Sequence, residues 1–314
     1  MQVLEVVFPV LAMILLGIMC RRLHFISREG IDNIKFLVTK IVLPMAIFHA
    51  LGTVEYSGRT LVLIAIMFVM LVVSFGIGFL LRPLMPEPYK KYLPFMVSVY
   101  EGGMMAYPLF ANLCGQENLS QIALLDIAGL LFGFSVYMGL LEQVENGKTQ
   151  ITGGERAKLL VRDALHNPAF IAAVLGILAG CTGLLKLLIA SGAGNVYLKT
   201  ESMITAPLSS IILLVVGYEL APDMKLMAPC IRTILLRAAL QAVMAFGVIL
   251  AARRFVGTDT VMEVAILSYM SAPATFSMQS FIKAEDGSRY AATTNSLYCL
   301  VSIAVYAVLA GILR

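Results

Sequence analysis

Glu101 stands near the middle of an apolar stretch, at the head of Glu101-Gly102-Gly103-Met104-Met105-Ala106-Tyr107-Pro108. A carboxylate there is costly to bury and marks a functional position by default. Three roles fit it: a proton carrier, a ligand for a cation or a basic group, or the partner of Lys40 in the second apolar stretch. Lys40 in turn either meets an anionic solute or snorkels to the surface. Asp126 lies about two turns into the fifth stretch and suits an outer vestibule or a local pair. The run Ser271-Ala272-Pro273-Ala274 resembles the first in design. Pro108 and Pro273 cannot donate a backbone hydrogen bond and clash with the preceding turn. With Gly102 and Gly103 beside them, both stretches are expected to break into half-helices. Freed amides and carbonyls at that depth are tolerated only where they line a cavity or are buried in protein. Half-helix N-termini suit a carboxylate. The expected substrate site is therefore Glu101, Gly102, Gly103, Pro108, Ser271, Pro273, Thr275 and Asn295, with Glu101, Lys40 and Asp126 as coupling or charge-pairing groups.

Long apolar elements must hold these residues. The 314-residue chain is 60% hydrophobic and 13% charged, with a mean hydropathy of +0.89. Soluble domains run near ~25% charged. A bilayer core of ~30 Å needs ~20 helical residues, and ten segments supply them: 3–20, 31–52, 60–81, 92–113, 119–140, 168–189, 198–220, 231–252, 260–282 and 290–313. The fold expected is an all-α integral membrane protein. The five cysteines show no CxxC spacing and the three histidines stand far apart, so neither a metal site nor another cofactor is expected. No basic run suggests nucleic acid. A nucleophile beside a base is missing too, which argues against an enzyme.

Four landmarks recur in order: Pro9, Gly17, Pro44 and Pro108 are matched by Pro168, Gly176, Pro207 and Pro273, at offsets of 159, 159, 163 and 165 residues. Each half holds five apolar segments, and an odd number forces the second copy to run upside down. Inverted repeats with interrupted spans at matching places point to a secondary transporter whose site lies between them. The units are a first repeat at 1–141, a linker at 142–167 and a second repeat at 168–314. The linker reads as cytoplasmic, with a short amphipathic helix after Gly153-Gly154. Fourteen Lys and Arg side chains fall in odd-numbered connections against six in even-numbered ones and the tails. Odd loops then face the cytoplasm, and both termini lie outside.

The element from Glu101 to Pro108 resembles the Asn-x-Gly-x-x-Gly-x-Pro element of the auxin efflux carrier family. Asn167-Pro168 with the following AFIAAVLGILAG, Pro207 with LSSIILLVVGYEL, and Pro273 with the stretch to Tyr290 and Ser302 are similar to its later spans. The likeness covers nearly the whole chain, and the short central loop is similar to bacterial members. Glu101 and Ala106 depart from the pattern, where the family has Asn and Gly. The resemblance implies a ten-span carrier related in fold to bile-acid sodium symporters. Spans 1, 2, 6 and 7 would form a scaffold, and spans 3–5 and 8–10 a mobile unit moving as an elevator. It also implies small organic anions as substrates, such as malonate or auxin-like acids, in a bacterial inner membrane and among its lipids. Coupling to H+ through Glu101 is one expectation, and a sodium-coupled carrier or a channel of the same architecture the alternative. Gly17 and Gly176, on the first and sixth spans, would provide a homodimer face.

Overall fold

The computed structural model describes residues 2–146, 158, 162, 164–220 and 222–313, and every regular element among them is helical. All ten expected segments contain helix, but not all as single rods. In chain order they are α1 (Gln2–Arg22), α2 (Arg28–Leu37) running through a π-helical turn into α3 (Leu43–Gly52), and α4 (Gly58–Leu80). Then come α5 (Leu93–Met96), α6 (Tyr107–Cys114), α7 (Leu119–Phe132) and α8 (Met138–Asn146). The second half holds α9 (Pro168–Thr182), α10 (Leu184–Ala190), α11 (Gly194–Thr205), α12 (Leu208–Glu219), α13 (Met227–Phe255), α14 (Thr260–Met270), α15 (Met278–Phe281) and α16 (Glu285–Ile312).

Local chemistry fixes several starts. Ser57 caps α4 in a reciprocal box with Thr60, and Asp259 caps α14 through the Met262 amide. Asn167 accepts from Phe170 N, and Pro168 occupies the first turn of α9, where its missing N–H costs nothing.

Among the described residues six helices are long and apolar enough to cross a bilayer. A seventh is reached if α9 and α10, bent by 72°, count as one span. The bend sits at Gly183, whose φ of 70° favours glycine, so the segment expected at 168–189 is not straight. The expected fourth and ninth spans fall short because they are interrupted. Between α5 and the π-helical turn Gly102–Ala106 the chain is unwound at Val97–Glu101. Between α14 and α15 it is unwound at Ser271–Ser277. Large side chains such as Phe8, Leu61, Val69, Leu235 and Phe246 point outward, as lipid contact requires.

Two pairs of helices pack through glycine. A Cβ on Gly17 of α1 would strike the Leu214 carbonyl of α12, and one on Gly217 of α12 would strike the Ile14 carbonyl of α1. A Cβ on Gly176 of α9 would lie 2.9 Å from the Phe48 carbonyl of α3. Small residues let backbones meet where no hydrophobic force draws helices together. Gly17 and Gly176, expected at a homodimer face, are thus turned into the chain and spent on its own packing. At one end of the molecule Glu145 of α8 accepts from Lys91 Nζ at 3.0 Å, Tyr92 OH at 2.7 Å and the Lys283 amide at 2.8 Å. That knot ties three segments together. Most of the amphipathic stretch expected after Gly153-Gly154 lies outside the described residues.

Candidate functional site

The two unwound segments meet. Glu101 N donates to Pro273 O at 2.9 Å, so the interrupted fourth and ninth segments are joined backbone to backbone where each has lost its helical partners. The Glu101 carboxylate then bridges both. One oxygen accepts from Met104 N at 3.2 Å, and the other from Phe276 N at 2.7 Å. Glu101 is therefore the cap of the half-helix that follows it and a clasp on the chain leading into α15. This accounts for two amides that unwinding would leave bare.

Beside the clasp lies a cavity of about 460 Å³. One wall comes from α2, α3 and the start of α9, including Lys35, Thr39, Lys40 and Asn167. The rest of the lining comes from Glu101, Gly102 and Gly103, from Asp126 and Gly129 of α7, from Thr275 of the second break and from Gln279 of α15. That volume holds a small organic solute with a few polar contacts.

Asp126 is 8% exposed and is positioned by two phenols. Tyr107 OH donates to one carboxylate oxygen at 2.9 Å and Tyr269 OH to the other at 2.8 Å. The backbone lies so close that a Cβ on Gly102 would come within 2.7 Å of Asp126 Oδ2. Gly102 therefore provides room rather than flexibility, and its φ is not in the left-handed region. Gly103 does the same toward Leu43, whose Cδ2 would lie 2.5 Å from an added Cβ.

Several expected residues sit elsewhere. Pro108 does not make the break. The chain is already helical from Gly102, and a π-helical turn carries it into α6 with Pro108 in the first turn. That wider turn accommodates the missing N–H, so the interruption falls earlier, at Val97–Glu101. Pro273 does lie in its break and supplies the carbonyl that Glu101 N uses. Ser271 is spent locally: its hydroxyl donates to Ser268 O at 3.0 Å, and its carbonyl accepts from Ser302 Oγ at 2.6 Å. Asn295 is 1% exposed, and neither amide atom has a partner among the described residues. None of Pro108, Ser271, Pro273 and Asn295 lines the cavity, whereas Glu101, Gly102, Gly103, Thr275, Lys40 and Asp126 do. Asp126 faces the same space as Glu101 and does so with tyrosine donors, not with a cation.

Lys40 lines the cavity but makes no ion pair with Glu101 among the described residues; two backbone amides hold that carboxylate. Lys35, not singled out in the sequence, lines the same wall and pairs with Glu219 at 2.8 Å. Arg28 reaches the same carboxylate at 3.5 Å. A second overlooked cation, Arg237 in the middle of α13, is 1% exposed. The signal for both was present: like Lys40, they are basic residues set four or more positions inside an apolar segment, and such residues mark function by default.

A transporter of Methanothermobacter thermautotrophicus, itself uncharacterized, is 28% identical over 184 residues, which is 57% of this chain. The chain spans 58% of that relative's length. The pattern of one family matches residues 2–309, both interrupted spans and every wall of the cavity included. The chain belongs to that family, the membrane transport proteins of auxin efflux carrier type.

Proposed function

We propose that this chain is a secondary carrier of small organic acids, working by alternating access, with the cavity beside Glu101 as its solute site. The observation that carries this reading is the position of the cavity. One wall belongs to the expected scaffold, spans 2 and 6, and the other to the expected mobile unit, spans 4, 5 and 9. Sliding the second group past the first would carry the solute with its clasp. The paired packing of α1 on α12 and of α9 on α3 through repeat-matched Gly17 and Gly176 supports an inverted ten-span architecture. Under the charge bias of the loops, Lys35, Lys40 and Asn167 sit toward the cytoplasmic side of a multi-pass inner-membrane protein. The cavity would then be open inward.

Lys40 and Lys35 would attract the carboxylate of the solute, and Thr39, Asn167 and Thr275 would provide hydrogen bonds. Glu101 would carry the coupled proton, because a protonated clasp gives up its charge-assisted hold on the amides of Met104 and Phe276. Counterflow in proteoliposomes tests the proposal. Internal malonate or another small acid should drive uptake of the labelled acid, and Glu101→Gln should remove the dependence of that uptake on pH. Wild-type pH dependence in the variant would end the proton-carrier role, and current without counterflow would favour a channel.

A second reading has one specific support. Glu101 and Asp126 face the cavity without an ion-pair partner among the described residues, opposite Lys40. A zwitterion could place its ammonium group between the carboxylates and its own carboxylate at the lysine. Counterflow by neutral amino acids but not by dicarboxylates would select it.

A further inference from the structure

Unwinding at Val97–Glu101 and Ser271–Ser277 frees carbonyls as well as amides, and a single face of α13 collects them. Arg237 Nη1 donates to Met96 O at 2.5 Å. Its Nη2 donates to Ala272 O at 2.8 Å and reaches Val99 O at 3.4 Å. One turn on, Gln241 Nε2 donates to Val97 O at 2.5 Å, while its Oε1 accepts from Tyr100 OH. Met96 closes α5, and Ala272 follows the end of α14, so both carbonyls lie at helix C-termini that carry partial negative charge. The rings of Tyr100 and Tyr298 flank the guanidinium, each centroid 5.1 Å from Cζ. No carboxylate pairs with Arg237 among the described residues. A buried cation ordinarily has an anionic partner, and here the carbonyl ends of two broken helices take that place.

We infer that Arg237 is the tethered cation of the crossing, a positioning residue that holds both interrupted spans on one charge. Its planar fork reaches carbonyls from both halves of the chain at once, which a point charge on lysine does not. The amides of Met104 and Phe276 go to the Glu101 carboxylate, the carbonyls of Met96 and Ala272 to Arg237 and that of Val97 to Gln241. The crossing is therefore held on both sides by side chains of its own, and a bound inorganic cation is not needed to bridge those carbonyls.

The test uses the full-length protein purified in detergent, with Arg237→Ala, Arg237→Gln and Arg237→Lys variants. Thermal unfolding is followed in sodium, in choline and with up to ~20 mM guanidinium, far below the molar concentrations that unfold proteins. The wild-type midpoint should be the same in sodium and choline and unmoved by guanidinium. Arg237→Ala should melt lower and regain part of the loss saturably with guanidinium, as a ligand that binds only the folded state requires. Arg237→Gln, which keeps one donor and fills more space, repeats that measurement should the alanine variant fail to accumulate. Arg237→Lys should fall between wild type and Arg237→Gln. In proteoliposomes, an arm that rests on the carrier reading, counterflow by Arg237→Ala should fall at least ~10-fold and recover with guanidinium.

A guanidinium response equal in wild type and variants would overturn the inference, as would a wild-type midpoint raised by sodium. If wild-type protein shows no counterflow, the carrier reading fails while the melting arm still decides the role of Arg237.

Discussion

Gly102→Ala is the substitution that most directly probes how Asp126 and the clasp are joined. The added methyl would sit 2.7, 2.8 and 2.9 Å from Oδ2, Cγ and Oδ1 of Asp126. Ordinary contact is near ~3.5 Å, so the carboxylate must retreat by about half an ångström or more. Its two phenol bonds, at 2.9 and 2.8 Å, would then stretch past useful hydrogen-bond length. Each charge-assisted bond is worth ~1.5–3 kcal/mol, and partial loss of both gives a cost of about 2 kcal/mol. Overpacking adds ~1 kcal/mol or more. The total, about 3 kcal/mol, is well above the ~0.4–1 kcal/mol that Gly→Ala gains elsewhere through the unfolded chain.

The assay is a thermal-unfolding cycle with Gly102→Ala, Asp126→Ala and the double variant. Removing the carboxylate removes what the methyl strikes, so the second change should cost little in that background. A coupling of at least ~1 kcal/mol is expected between the two positions. In counterflow, Gly102→Ala should raise the apparent KM about 10-fold or more, at ~1.4 kcal/mol per decade. Equal losses with and without Asp126 would refute the geometry, because the methyl would then be acting on something else.

Three further outcomes follow from the packing and the charges. Gly17→Ala should cost ~1–3 kcal/mol by overpacking α1 against the Leu214 carbonyl of α12, read as a midpoint several degrees lower; a neutral result would dissociate α1 from α12. Lys35→Met leaves Glu219 with Arg28 alone and should lower stability by less than ~1 kcal/mol, the worth of a half-exposed pair, yet weaken uptake of acids at low ionic strength; unchanged uptake would remove Lys35 from the attracting wall. Asp223 lies outside the spanning helices, and the Lys225 amide, with Arg289 beside it, holds its carboxyl below the usual range. Its contribution is therefore present above the unfolded-state value and lost as pH falls through the lower folded value. Asp223→Asn should lessen the loss of stability on acidification, and acid melting curves identical to wild type would show that the pair contributes nothing.

The helical class and the places where the chain could not stay helical were legible in the sequence. Apolar runs of about twenty residues have few other solutions, and a carboxylate at their middle needs a reason. Glu101, Gly102, Gly103 and Thr275, expected at a solute site, and Lys40 and Asp126, expected as charged groups beside it, all line the one cavity. What failed was the mechanism attached to single residues. Pro108 was expected to break its span because proline usually does, but a π-helical turn absorbed it. Of the three roles open to Glu101, a pair with Lys40 is not formed among the described residues; two backbone amides hold its carboxylate instead.

Periodicity and composition depend on one segment at a time, so the sequence by itself determined the apolar segments, their order and their weak points. Which weak points touch is a property of the tertiary structure, since the partners lie from 35 to more than a hundred residues apart in the chain. Only the folded chain decides that Glu101 N meets Pro273 O, that Tyr269 reaches Asp126, and that Arg237 gathers carbonyls from both halves. The physical reason is that an unpaired backbone group in a dry interior must find a partner wherever one is near. A broken helix fixes that need locally, and the packing of distant helices fixes who meets it.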